Sequence, residues 1–214
     1  MTARRLGDRG QAFPIYIVVV AGLLFAALAF FAVGMAGATR SNAQGAADAG
    51  ALAAAREARD NVFLGLDLLS LKPADWEKIV NGDRLNGAGA CGKAIDFAAL
   101  NDADAECDPA LLPKFTVSVT TRGTVGDSVV PGASGTKGKA KATALIEPRC
   151  TLRSAPTPAP TPTLTRPPTP SPSPSPGEGS VTFVCSGKTL TLDPAKPGPL
   201  SRLARALFSV RLVD

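Results

Sequence analysis

Four cysteines carry the clearest chemistry in this chain: Cys91, Cys107, Cys150 and Cys185. Thiols in even number close disulfides or ligate zinc. A four-thiolate zinc site draws its ligands from closely spaced C-x-x-C-type pairs, and none occurs here, so disulfides in an oxidising compartment are the expectation. Three connectivities are possible, and this reading favours Cys91–Cys107, which would staple the Gly-rich stretch Asn86–Asp108. It equally favours Cys150–Cys185, which would clamp neighbouring strands across a proline-rich insertion. In the chain-entropy model a closed loop of about 15 residues contributes ~3 kcal/mol.

No other grouping points to catalysis. Histidine is absent, which removes His-based triads and metal sites needing imidazole. Asp102, Asp104, Glu106 and Asp108 have acid–base capacity, but their spacing matches no EF-hand template and they read as a solvated acidic loop. Gly132–Lys139 resembles a phosphate loop only superficially, because Lys137 stands where the second Gly of G-x-x-x-x-G-K-[ST] belongs. It reads as a basic turn within Gly126–Lys139. No catalytic, cofactor-binding or metal-ligating residue is assigned, no cofactor is expected, and the chain is not expected to be an enzyme.

Composition narrows the partners. With aromatics at 5% and a single Trp and Tyr, a large aromatic-lined pocket is not expected. The net charge of +5 is spread along the chain and makes no nucleic-acid face. The apolar residues are concentrated near the N-terminus.

Those features need elements to carry them. Phe13–Ala38 contains no charged residue. As a helix it spans roughly 39 Å, ample for a hydrocarbon layer of ~30 Å. Pro14 suits the first helical turn and Tyr16 an interfacial anchor. Arg4, Arg5 and Arg9 precede the span, whereas only Arg40 comes soon after it, which places the N-terminus in the cytoplasm and the rest outside. A cleaved signal peptide is the rival, with Ala36-Gly37-Ala38 as its site, but the apolar run is about twice the usual length of such a region. Thr39–Asp60 is Ala-rich and free of Pro, so the helix is expected to continue. Arg40, Gln44, Asp48, Arg56 and Asp60 fall at i+4 steps and form one polar stripe. The Ala face is either a solvated stalk or a packing surface for a neighbouring subunit or the downstream domain. Asn61–Leu71 is more apolar and is expected to turn back onto that domain.

This N-terminal arrangement also resembles a known family. The basic start ending in Arg9-Gly10-Gln11, one membrane helix, then Gln44, Ala46-Ala47-Asp48-Ala49 and Ala51-Leu52-Ala53-Ala54-Ala55 are similar to TadG-like Flp pilus-assembly proteins, actinobacterial ones in particular. A type IV prepilin would carry Glu where Ile15 stands, and TadE-like relatives carry an early membrane Glu that is missing here. The resemblance covers about the first sixty residues. It implies a membrane-anchored accessory of a tight-adherence pilus or secretion machine and supplies no catalytic residues.

Beyond it, Pro73–Asn81 reads as a short helix ended by Gly82, with Trp76, Ile79 and Val80 inward. Phe115–Thr120, extended by Thr124-Val125, then Ala140–Ile146, Val181–Cys185, Thr189–Leu192 and Phe208–Leu212 read as strands. Ser186-Gly187-Lys188 is the turn of a hairpin. Ser154–Gly177 alternates Pro with Ser and Thr and cannot bury a core. It is a tolerated surface insertion, a wall-spanning spacer or a mannosylated tract.

The expected fold class is α+β: a long N-terminal transmembrane and stalk helix, then a small, mostly antiparallel sheet domain with a Pro/Ser/Thr-rich insertion. The expected organisation is a cytoplasmic tail at 1–12, a transmembrane helix at 13–38, a stalk helix at 39–71, an extracytoplasmic domain at 72–153 and 178–214, and the insertion at 154–177. The expected function is a single-pass structural or accessory component of a Tad/Flp-type system, partnered by the membrane and other pilus-assembly membrane proteins. The alternative is a membrane-tethered module that binds cell-wall polymer or an extracellular ligand.

Overall fold

The computed structural model describes residues 12–124, 135–153 and 180–213. The basic tail, Gly126–Ser134 of the expected turn and the Pro-rich insertion lie outside the described residues.

One helix, α1, runs from Ala12 to Asp60 without a break. Ala dominates its second half, and no Pro after Pro14 removes a hydrogen bond. The chain leaves it through a 3₁₀ turn at Asn61–Phe63, so the helix stops at Asp60 and not at Leu71. From there the backbone returns irregularly toward the domain and buries Val62, Phe63 and Leu68. The solvated-stalk reading fails. Ala43, Ala46, Ala47, Ala51, Ala54, Ala55 and Ala58 are all completely buried, and the second half of α1 is the centre of the domain.

Two further helices add buried faces to that core. α2 is Pro73–Asn81; Gly82 ends it at φ 89°, a left-handed conformation that Gly adopts without a Cβ penalty. Trp76, Ile79 and Val80 are buried as its amphipathic spacing requires. α3, Ala90–Ala99, was not expected from the Gly-rich run around it. Its buried face is Ala90, Ala94 and Ala98, while Ile95, Phe97 and Leu100 are exposed. Small residues face α1 because the two helices approach closely: a Cβ on Gly50 would lie 3.1 Å from the Ala94 carbonyl oxygen and 3.2 Å from a Val117 methyl.

The strands form two antiparallel sheets, where a single one was expected. β1 (Ala103–Leu111), β2 (Lys114–Thr124), β3 (Lys137–Pro148) and β7 (Phe208–Val213) form a four-stranded sheet in the order β1-β2-β3-β7. β4 (Cys150–Leu152), β5 (Val181–Cys185) and β6 (Lys188–Leu192) form the second. The chain switches sheets at Arg149, whose N–H bonds the Leu207 carbonyl at 2.9 Å. α4 (Leu200–Leu207) buries Leu203, Ala204 and Leu207 and leads directly into β7. The β5–β6 turn at Ser186 and Gly187 has positive φ at both positions, which matches the twist of the flanking strands.

The large sheet lays its inner face on α1. Phe115, Val117 and Val119 of β2 and Ala142, Ala144 and Ile146 of β3 point there, each alternating with an outward residue. The small sheet is tied in by aromatics: Trp76 meets Phe183 edge-on at 5.9 Å and Phe63 at 6.4 Å between ring centres. The fold is α+β, with a long apolar N-terminal helix followed by antiparallel sheets.

Candidate functional site

The first functional feature is the N-terminal half of α1. It projects beyond the domain with its large side chains in the open: Leu24 is 62% exposed and Phe30 80%. Among the described residues this is one helix long and apolar enough to cross a bilayer. Exposed apolar surface on this scale is unstable in water and matches a lipid environment.

The change from exposed rod to buried core is abrupt and sits at Thr39. Gly138 of β3 packs so closely there that a Cβ would lie 2.5 Å from the Thr39 carbonyl oxygen. Thr121 supports the same corner: its hydroxyl accepts the Gly138 N–H at 2.9 Å and donates to the Gly123 carbonyl at 2.7 Å. No linker separates the apolar rod from the domain.

The cysteines form two disulfides. Cys91 on α3 joins Cys107 on β1 across 5.4 Å between Cα atoms, and Cys150 on β4 joins Cys185 on β5 across 4.0 Å. Cys150 and Cys185 are also direct register partners of the small sheet. The pair therefore clamps the two strands between which the Pro-rich segment departs. The Arg153 N–H, bonded to the Thr182 carbonyl at 2.9 Å, extends that clamp to the root of the segment.

Of the four acids expected in a loop, Asp102 stays in the turn before β1, at φ 52°, and the other three do not. Asp104, Glu106 and Asp108 occupy alternate positions of β1, opposite Thr120, Ser118 and Thr116 of β2. Their inward neighbours Ala103, Ala105 and Cys107 are small, which masks the strand alternation from hydrophobicity alone. Lys137–Lys139, expected in a turn, begins β3 instead. The outer face of the sheet is thus striped: acids on β1, hydroxyls on β2, and Lys137, Lys139 and Lys141 on β3. At its far end Arg211 of β7 grips Glu147 with two bonds of 2.7 and 2.8 Å. The Arg211 hydrogen bond holds the Glu147 carboxyl below the ordinary glutamate value, and Arg211 is raised in turn. These stripes escape a motif search; their signal is the period-two spacing of D-x-E-x-D and K-x-K-x-K.

A depression of about 820 Å³ lies beside the small sheet, lined by Leu68, Leu71, Trp76, Leu152, Val181 and Pro194 among others. Glu77, Arg153 and Asp193 also line it. Among the described residues no group of His, Cys, Asp and Glu is arranged to hold a metal ion.

Comparison with known proteins bears on α1. Residues 10–57 match the family model described as Flp pilus-assembly TadE/G-like. The match spans the exposed half of α1 and nearly all of its buried half, and it ends before the strands begin. No curated protein and no solved structure matches the chain.

Proposed function

We infer that the chain is a single-pass, membrane-anchored component of a Tad/Flp-type pilus assembly or secretion system, with a structural or accessory role. The observation that carries this reading is the coincidence of the family match at residues 10–57 with one helix that is both apolar rod and domain core. An anchor built this way fixes the domain at the bilayer surface. That is what an assembly component needs and a diffusing enzyme does not.

Charge and redox chemistry support one orientation. Arg4, Arg5 and Arg9 precede the span and favour a cytoplasmic N-terminus. Two disulfides belong on the oxidising side. Both favour a domain outside the cell, next to the other membrane proteins of the system, and neither calls for a cofactor.

The test is protease accessibility on intact protoplasts of cells carrying tags at both ends. Loss of the C-terminal tag with protection of the N-terminal one supports the reading; the reverse pattern, or a soluble product beginning at Thr39, refutes it. Leu24→Arg puts a charge at mid-bilayer, a cost of about 2.5–3.5 kcal/mol on insertion scales, and should release protein from the membrane fraction. Deleting the gene should change fibre number or length by electron microscopy. Unchanged fibres, together with cosedimentation of the protein with cell wall, would favour a wall-binding module instead.

A further inference from the structure

The outer face of the four-stranded sheet carries charge that the chain does not neutralise. Two cross-strand rows run over it, Asp104–Thr120–Lys139 and Glu106–Ser118–Lys141. Opposite charges on adjacent strands pair within a sheet. Here a strand of hydroxyls intervenes and sets the acid and lysine backbones about 10 Å apart, with both side chains standing off the sheet instead of toward one another. Asp104 takes Arg122 at 2.9 Å, but among the described residues Glu106, Lys139 and Lys141 make no ion pair. The other end of the same face differs, since Glu147 and Arg211 sit on adjacent strands and satisfy one another.

We propose that this face is a homodimer interface, on which a second copy of the chain docks its own outer sheet face about a two-fold axis parallel to the strands. Such a rotation carries β1 of one copy over β3 of the other and β2 over β2, and leaves position along the strands unchanged. Glu106 then meets Lys141 of the second copy, Asp104 meets Lys139, and symmetry repeats both contacts. The hydroxyl rows Thr116, Ser118 and Thr120 face each other with room for bridging water. Facing sheets lie about 10 Å apart, a gap that a glutamate and a lysine reaching from opposite sides can close. Sheet twist confines the contact to these central rows.

A second copy is the occupant because the pattern is its own complement. Acid, hydroxyl and lysine rows in equal spacing reproduce themselves under that one rotation, and nothing about an unrelated partner would require it. The axis also suits two anchored chains. Thr39 packs on Gly138, and Gly50 on Val117, which is opposite Ala142, so α1 runs along β3. Two copies related by this axis enter one bilayer from the same side. That last point rests on the membrane reading above; the complementarity of the sheet faces does not. Confinement to one bilayer raises the effective concentration that a small, polar contact needs.

The experiment uses the full-length chain in native membranes, with Ser118→Cys as a reporter, because Ser118 of the two copies lie face to face at the axis. A short thiol-specific bifunctional crosslinker should give a covalent dimer, since sheets about 10 Å apart hold the two thiols too far apart for a direct disulfide. In that background Glu106→Lys or Lys141→Glu each turns two attractive contacts into two repulsive ones and should cut the dimer yield by about tenfold. Combining both reversals restores the complement and should recover the yield to within about threefold. The altered side chains face solvent, and unchanged thermal unfolding confirms that the variants fold. Absence of a dimer from protein found in the membrane fraction overturns the proposal, as does a yield insensitive to the reversals or unrestored by the double change. Protein missing from the membrane fraction refutes the anchor instead, and the same crosslinking on that soluble protein still decides the interface.

Discussion

Gly138→Ala tests the junction between rod and domain. On an unobstructed strand the substitution would stabilise by about 0.5–1 kcal/mol, because Gly loses more backbone freedom on folding. At Gly138 the new methyl would lie 2.5 Å from the Thr39 carbonyl oxygen and 3.1 Å from its carbonyl carbon and a side-chain methyl. Two of those three atoms are backbone of a continuous helix and cannot rotate away. Either α1 lifts from β3 by several tenths of an ångström or the strand bends. Overpacking of this kind costs about 1–3 kcal/mol. The net expectation is a loss of about 1–2 kcal/mol, or roughly 2–8 °C in Tm for a chain of this size. Gly123→Ala is the matched control: it lies on β2 near the same corner, but its Cβ would meet nothing within 4 Å. Thermal unfolding of the full-length protein in detergent, followed by circular dichroism, reads both. Gly138→Ala unfolding at or above the parent temperature, or a control that falls equally, would refute the close approach and with it the linker-free junction.

Phe183→Ala, at a fully buried side chain set against Trp76, should cost about 3–5 kcal/mol in denaturant unfolding; a cost under about 1 kcal/mol would mean that the small sheet does not share the core. The four cysteines should resist alkylation until reductant is added. Reduction should then remove about 3 kcal/mol for the separation of 16 residues and about 4 for that of 35. Free thiols counted in the native protein would contradict both bonds. Glu147 has a lowered folded pKa, so its contribution is present above the ordinary value of 4.5 and lost as pH falls through the folded value. Glu147→Gln should therefore be less stable than the parent near neutrality and converge with it in acid; a gap that widens on acidification would reverse the sign of that coupling. The contribution is small, because both partners are solvent-exposed.

What could be read without coordinates was whatever the chain writes in large side chains or punctuation. Pro73 and Gly82 bracket α2, Ser186-Gly187 turns the β5–β6 hairpin, and Phe115, Val117 and Val119 alternate through β2. The elements that stayed hidden are those whose buried face is alanine. α3 points Ala90, Ala94 and Ala98 at the core and leaves Ile95, Phe97 and Leu100 in the open, so its hydrophobicity is reversed relative to its burial. β1 does the same in miniature with Ala103 and Ala105, which made its acidic positions look like a loop. The cause is common to both. The core is organised round an Ala-faced α1, and its neighbours must be small to approach it. α4 is a different case: Leu200, Leu203, Ala204 and Leu207 have full helical spacing, but its eight residues run straight into the alternating strand β7. The sheet-face stripes need the register of three strands, which no linear spacing supplies.

The unbroken path from Ala12 to Asp60 makes this molecule a lever. With no hinge at Thr39, a tilt of the span by some 10° swings the far end of the domain-embedded part, about 33 Å away, by roughly 6 Å. A load on the apolar half is likewise passed to the four-stranded sheet that packs on α1, and a load on that sheet returns along the same shaft.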